Sequence, residues 1–236
     1  MFRKSIMMAT VALAASLGST LIGGAPASAD SQVSKIDIEH LRTNLTKYDV
    51  PAKTQDALLE DFIKGERWDS ETDANPVSSE TERVDGVERT VYRYQDGSIG
   101  VSTVDIPSES TGESSILGIT GCQSYAVAGA KAWRNCRVSW DVFSWSVSFT
   151  AAYKYYLGPS YGCYIDSIGG LVHGGVGSFS SPKLSYITRS ASGFTGTCVA
   201  QGTWTRKATD LFSETVGVRL NLSAQHGGGW TSKVSS

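Results

Sequence analysis

The sequence predicts a mainly β protein, with a small α+β segment at its N-terminus and a C-terminal antiparallel β-sandwich or barrel that carries two disulfides. Three observations support this fold class. Apolar and polar residues alternate from 143 to 155 and again from 216 to 222, which is typical of strands with one buried face. Short β-rich runs between Gly/Ser turns occupy much of the C-terminal half. All four cysteines lie in that half as well.

The first 29 residues have the three parts of a secretory signal peptide. Arg3 and Lys4 form a basic start, and an apolar run with small residues follows over positions 5 to 24. Ala27 and Ala29 occupy the small positions of an A-x-A cleavage site. We therefore expect cleavage after Ala29 and release of the protein outside the cell.

Residues 30 to 106 predict an acidic helical hairpin followed by a β-meander. Apolar residues recur at helical spacing over 34 to 64, and Pro51 separates the two helices because it disfavours helical geometry in the residue before it. Gly65 stands where a left-handed helix cap belongs. We expect Ile63 to face inward with the other apolar residues of the second helix.

Two Asp-Gly pairs mark the turns of the meander over residues 81 to 106, at Gly86 and Gly97. The following stretch, 107 to 121, begins with a run rich in Ser, Gly and Glu, which predicts a flexible linker and a domain boundary. Residues 122 to 236 would then form a disulfide-bonded all-β domain.

Charge is distributed unevenly along the chain. Residues 30 to 115 carry a net charge of -10, whereas residues 116 to 236 carry +6. Such an asymmetry is typical of two functional segments, or of a tail that covers a partner. An acidic pro-segment that shields a cationic effector is one form of this hypothesis.

The alternation in the all-β domain predicts which side chains face its core. We expect Phe143, Trp145 and every second residue up to Tyr155 on one apolar face, with serines, Thr150 and Lys154 on the other. Residues 216 to 222 predict a second strand of the same kind. The segments VAQGTWTR and KLSYITRS predict two more strands.

Four cysteines in an exported chain predict two disulfides, for which three pairings are possible. Short loops close more readily than long ones, so we expect Cys122–Cys136 and Cys163–Cys198. No two cysteines have C-x-x-C spacing, and we therefore expect neither a zinc site nor a redox motif.

Residues 158 to 162 read GPSYG and match the G-x-S-x-G turn that carries the nucleophile of many esterases. A hydrolase would use Ser160, His226 and either Asp166 or Asp210. However, a Gly-broken stretch rather than a helix follows Ser160, and the oxyanion glycines precede the serine in that fold. We interpret the segment as a disulfide-pinned turn and assign no catalytic residue.

The sequence contains no pattern for a cofactor or a metal ion. His173 and His226 each precede glycines, but no third ligand has a suitable spacing. Phosphate-binding and dinucleotide-binding motifs are absent from the sequence. The basic residues are spread out, and we expect no nucleic-acid partner.

Aromatic residues are the best indication of function. Trp133 and Trp230 lie in Gly-flanked or charge-flanked stretches, so we expect them to be exposed and to bind a ligand. The sequence therefore predicts a non-enzymatic secreted protein that binds a cell-envelope glycan or a protein partner. One alternative is a membrane-active toxin, since residues 143 to 155 also match a membrane-crossing strand. Another is a serine hydrolase that uses Ser160 and His226. The sequence indicates no oligomeric state.

Overall fold

The computed structural model describes residues 35–84, 86–105, 122–156, 158, 161–209, 212–223, 225 and 228–235. All of them belong to one compact unit, Ser31–Ser236. The predicted signal peptide and the predicted linker lie outside the described residues, and both stay predictions.

Two short helices open the described chain, α1 (Lys35–Lys47) and α2 (Ala52–Lys64). Pro51 precedes α2, and Gly65 ends it in the left-handed conformation (φ 81°), with its N–H bonded to the last turn. The predicted hairpin is confirmed. The expectation for Ile63 is wrong: this side chain is 59% exposed, because α2 buries the face that carries Leu58 and Phe62 instead.

Twelve strands follow in the described part of the chain and form two antiparallel sheets. Sheet A contains β1 (Ser78–Val84), β2 (Val87–Arg93), β3 (Ile99–Asp105), β4 (Gln123–Val127), β5 (Ala130–Asp141), β6 (Trp145–Tyr156), β7 (Gly162–Gly175) and β9 (Ser190–Ser192). Sheet B contains β8 (Ser178–Thr188), β10 (Thr197–Thr209), β11 (Phe212–Ser223) and β12 (Gly228–Ser235). A short 3-10 turn, Asp69–Glu71, precedes β1.

The strand order in sheet A is β1-β2-β3-β5-β6-β7-β9, and β4 pairs with β5 next to β3. Sheet B has the order β12-β11-β10-β8. Gly86 and Gly97 adopt positive φ between the strands of the predicted meander. Strand β3 pairs with β5 through Val101–Val104 and Val138–Asp141, so sheet A joins strands from both sides of the predicted linker.

The two sheets pack face to face around one apolar core. Sheet A contributes the alternate residues of β6 from Trp145 to Tyr155, and sheet B contributes Val216, Val218, Leu220 and Leu222 of β11. The four β11 residues are fully buried. The predicted sandwich is confirmed, and so are the alternation over residues 216 to 222 and the part of the first alternation that runs from Trp145 to Tyr155.

A second apolar cluster joins the helices to the sandwich. Most of its residues come from the N-terminal segment, but Phe143 and Val176 come from the C-terminal half. The expectation for Phe143 is wrong, because this residue lies in a turn with positive φ (70°) before β6 begins. Its ring packs against Tyr48 of the helical hairpin, with 5.0 Å between the ring centres.

Both predicted disulfides are present, Cys122–Cys136 and Cys163–Cys198. They are compatible with an extracellular or otherwise oxidising compartment. Cys122 lies just before β4 and the other three cysteines lie in strands, and all four are buried in the sandwich core.

Removal of the Cys163–Cys198 disulfide should destabilise the protein more than removal of Cys122–Cys136. The first closes a loop of 35 residues and the second a loop of 14, which corresponds to about 4 and about 3 kcal/mol of loop-closure entropy. Urea unfolding of the two double Cys→Ala variants would measure this difference. A larger loss for the Cys122–Cys136 variant would contradict the loop-length argument.

Candidate functional site

Four tyrosines, two cations and one carboxylate form a continuous surface cluster, which we call the tyrosine platform. It covers part of the outer face of sheet A and the adjoining edge of β8. Its members are Tyr125, Lys154, Tyr156, Tyr164, Asp166, Tyr186 and Arg189.

Strand register brings the first part of the tyrosine platform together. Ala132 of β5 lies opposite Tyr125 of β4 and opposite Lys154 of β6. Lys154 lies in turn opposite Tyr164 of β7. Directly opposed residues of antiparallel strands point to the same face, so these four form one row across sheet A. Tyr153, next to Lys154 in sequence, faces the core and is 3% exposed.

Asp166 connects two side chains of this row, those of Tyr125 and Lys154. Its carboxylate accepts a hydrogen bond from the Tyr125 hydroxyl at 2.8 Å and pairs with Lys154 Nζ at 2.9 Å. The bond to Asp166 raises the pKa of Lys154. Burial raises the pKa of Tyr125, and the bond to Asp166 adds to this effect. Lys154 therefore remains a cation and Tyr125 remains a hydrogen-bond donor at neutral pH.

Arg189, in the turn between β8 and β9, joins the row to the edge of β8. Its guanidinium lies between two rings, 5.2 Å from the centre of Tyr164 and 4.9 Å from that of Tyr186. The same group donates to the carbonyls of Ile165 and Asp166 at 3.2 and 3.0 Å. The hydrogen bonds hold the guanidinium in place, and its cation–π contacts restrain both rings.

The tyrosine platform combines flat apolar rings with hydrogen-bonding groups at their edges. Tyr186 is 37% exposed, and Tyr125, Tyr156 and Tyr164 are half-buried. Lys154 Nζ lies 4.8 Å from the centre of the Tyr164 ring. Paired strands hold most of these side chains, which makes the arrangement more rigid than a loop would. Such a surface can stack against a flat ligand and bond to its polar edge.

Trp133, a predicted ligand-binding residue, lies in the core. It is 9% exposed, and its ring packs 5.5 Å from Tyr153 and 5.6 Å from Tyr155. The expectation that Trp133 is exposed is wrong. Trp133 lies opposite Tyr153 across β5 and β6, so it shares the inward face of that strand pair, and the flanking charges in the sequence do not reveal this.

Trp230, the other predicted ligand-binding residue, is exposed as expected, at 43%. It lies opposite Asn221 across β11 and β12, on the outer face of sheet B. Asn221 donates a hydrogen bond to Ser232 beside it, at 3.1 Å. The structure therefore places Trp230 on the opposite side of the sandwich from Lys154, which lies on the outer face of sheet A. Its role in binding stays a prediction.

The predicted catalytic candidates are not seen as a group. Ser160, Asp210 and His226 lie outside the described residues. Asp166 is described, and its carboxylate is engaged by Lys154 and Tyr125 in the tyrosine platform. The interpretation of the Ser160 segment as a turn stays a prediction, although neighbouring Gly158 adopts a positive φ of 80°.

His173 lies among aromatic rings rather than metal ligands. Its ring is 4.3 Å from the rings of both Phe179 and Trp204, stacked on the first and edge-on to the second. Within the described part of the chain, no group of three His, Cys, Asp or Glu residues could hold a metal ion. His226 lies outside that part.

A buried ion cluster connects the N-terminal segment to sheet B. Arg206 of β10, fully buried, pairs with Glu214 of β11 at 2.8 Å and with Glu71 at 3.1 Å. Arg67 pairs with the other oxygen of Glu214 at 2.8 Å. Ser144 donates a hydrogen bond to Glu71. Burial raises the pKa of Glu214, and the charge of Arg206 opposes this rise. Arg206, Glu71 and Glu214 are buried, so we regard the cluster as structural.

Lys233 of β12 lies near this cluster and should make stability depend on pH. Burial lowers its pKa to about 8, against 10.5 for an ordinary lysine. Its amine donates to the carbonyls of Ser70 and Thr72, and a neutral amine retains N–H groups for such bonds. Between about pH 8 and 10 the unfolded chain holds a proton that the folded chain has released, so stability should rise with pH.

Urea unfolding at about pH 7.5 and pH 9.5 would measure this rise, and Lys233→Met should remove it. Above about pH 10 the trend should reverse, because burial raises the pKa of Tyr94 to about 12. A wild-type stability that falls between the two lower pH values would contradict the assignment.

Comparison with known proteins gives no relative: no protein-family model, no curated protein and no solved structure matches this chain. None of the helices in the described residues is long and apolar enough to cross a membrane.

Proposed function

We propose that this protein is an exported, non-enzymatic binding protein that engages cell-envelope glycan through the tyrosine platform. The observation that carries the proposal is the platform itself. Ring faces of Tyr164 and Tyr186 are held in place by Arg189 and lie beside a hydrogen-bonded Asp166. A pyranose ring has an apolar face and hydroxyl groups around its edge, and this surface offers a matching partner for each.

The same groups support binding rather than glycoside hydrolysis. Glycosidases that follow the usual mechanism need two carboxyl groups across the sugar. Among the described residues, Asp166 is the one carboxylate of the tyrosine platform, and Lys154 and Tyr125 occupy its oxygens. Export agrees with the two disulfides and with the predicted signal peptide.

Tyr164→Ala and Tyr186→Ala should each weaken retention on purified cell walls about tenfold, which corresponds to about 1.4 kcal/mol. Each substitution removes a ring face and releases one side of Arg189. Co-sedimentation of the purified protein with insoluble walls would measure retention, and circular dichroism would confirm that each variant is folded.

Trp230→Ala is the matched control, since it removes an exposed aromatic residue from the outer face of sheet B. Because we propose the tyrosine platform rather than Trp230 as the binding surface, this variant should leave retention unchanged. Loss of retention in this variant alone would move the site to sheet B. The glycan proposal is wrong if purified walls retain neither the wild type nor any variant, while a protein from the same envelope binds the wild type.

A further inference from the structure

We infer that the tyrosine platform selects anionic glycans, that is, sugars that carry carboxylate or phosphate groups. This inference rests on the proposed function and names the ligand class of the same site. It follows from the net positive charge around the rings, and from which of the charged side chains are not neutralised by a neighbour and can pair with a ligand.

Among the residues that the structure describes, three cations and one carboxylate lie at this surface. Lys154 and Arg189 belong to the tyrosine platform. Arg134 follows two residues after Ala132 on β5, on the same outer face, and is exposed. Its charge also acts on Tyr125, whose pKa it lowers against the larger effect of burial. With Asp166 counted, the surface has an excess of two positive charges.

The carboxylate of Asp166 is neutralised within the surface. Asp166 pairs with Lys154 and accepts the Tyr125 hydroxyl, so it presents little negative charge to a ligand. The excess positive charge is therefore that of the two arginines. Both are exposed, and the carbonyls of Ile165 and Asp166 use two of the five N–H groups of Arg189.

The other acidic residues described in the C-terminal half lie elsewhere. Asp141 bonds to the backbone N–H of Phe143 in the turn before β6, at 2.7 Å. Glu214 is 4% exposed in the buried ion cluster. Neither competes with a ligand for the arginines. A guanidinium binds carboxylate and phosphate through two parallel hydrogen bonds, and the adjacent tyrosines would stack on the sugar that carries the anion.

Two matched pairs of polysaccharides test this inference. The first pair is polygalacturonate and its methyl ester, and the second is phosphomannan and the same mannan after removal of phosphate. Each pair keeps the sugar backbone and removes the charge. Isothermal titration should show at least tenfold tighter binding to the charged member of a pair, and this difference should shrink when NaCl rises from about 50 to about 300 mM. If the charged member binds more tightly in only one pair, the anion of that pair, carboxylate or phosphate, is the one that the surface selects.

Arg134→Gln should weaken binding to the charged polysaccharide about fivefold and leave binding to the neutral one unchanged. Arg189→Gln also removes the contacts that hold the rings of Tyr164 and Tyr186, so it should weaken binding to both polysaccharides, and to the charged one more. Lys183→Gln is the control, because it removes an exposed positive charge from β8, opposite Thr203 on sheet B. It should change neither affinity. Arg134 has the weaker structural role of the two arginines, so its variant keeps the test valid if the Arg189 variant does not fold.

Each other result overturns the inference. Equal affinity for charged and neutral members would leave glycan binding intact and remove the charge selection. Binding to none of the four polysaccharides would exclude anionic glycans, and the cell-wall experiment with the tyrosine variants would then decide the proposed function separately. Binding to phosphatidylglycerol vesicles but to no polysaccharide would indicate a lipid surface instead.

Discussion

Replacement of Arg206 by methionine is expected to lower the free energy of unfolding by about 3–5 kcal/mol. Glu71 and Glu214 would remain buried, at 2% and 4% exposure, without the guanidinium that lies between them. Arg67 would still pair with one oxygen of Glu214. Loss of the hydrogen bond from Arg206 Nε to the Val176 carbonyl adds to the cost. Urea unfolding followed by tryptophan fluorescence would measure the change.

Two further variants separate the charge effect from simple loss of volume. Adding Glu71→Gln and Glu214→Gln to Arg206→Met should recover a large part of the loss, because the buried carboxylates are then neutral. Arg219→Met, on the neighbouring strand, removes an arginine whose partner is Gln201 at 3.1 Å and should cost less than about 1 kcal/mol. If Arg206→Met unfolds at the same urea concentration as the wild type, the cluster does not stabilise the fold.

Residues 122–236 produced without the N-terminal segment are expected not to unfold cooperatively. The missing segment supplies most of the second apolar cluster, so Phe143 and Val176 would lose their cover. It also supplies β3, which pairs with β5, and Glu71, which pairs with Arg206. Circular dichroism and size-exclusion chromatography would report an aggregated or loosely packed fragment.

Residues 30–106, produced separately and mixed with this fragment, should restore a cooperative transition. The matched control is the full chain cut at a protease site introduced between 107 and 121, whose two pieces should elute together. These results would disfavour an acidic pro-segment that is shed to release an effector. A fragment of 122–236 that is monomeric and unfolds cooperatively would contradict our expectation and support two separable domains.

The sequence predicts the helices and strands of this fold better than it predicts which side chains they bring together. The period of two in β6 and β11 is reliable because one face of each strand is fully buried. It fails at Phe143, where a turn with positive φ breaks the alternation before the strand begins. Alternation along β10 does predict that Arg206 faces inward, since it lies an even number of residues after the buried Cys198 and Ala200. A positive charge in a strand is ordinarily assigned to the solvent face.

The tyrosine platform could not be predicted in this way. Alternation alone places Lys154 and Tyr156 on the outer face of β6. What assembles the site is the cross-strand register, which brings Tyr125 to Asp166 and Arg189 to Tyr164. Register shifts interrupt the pairing of β6 with both of its neighbours, and a shift of one residue reverses every side chain beyond it. The error at Trp133 has another cause: its charged neighbours in the sequence suggest exposure, whereas its pairing with Tyr153 places it on the inward face.

The strand order of sheet A has an electrical consequence. Strand β1 carries exposed acidic and basic side chains at one edge of sheet A. The platform strand β7 lies five strand positions away, or about 24 Å. The chain has a net charge of only -2, yet we expect the separation of its acidic and basic segments to give it a dipole moment. An anionic polymer would exert a torque on this dipole and turn the basic end towards itself before contact. A nearly neutral protein would then approach its ligand in one preferred orientation, at a rate that falls as salt is added.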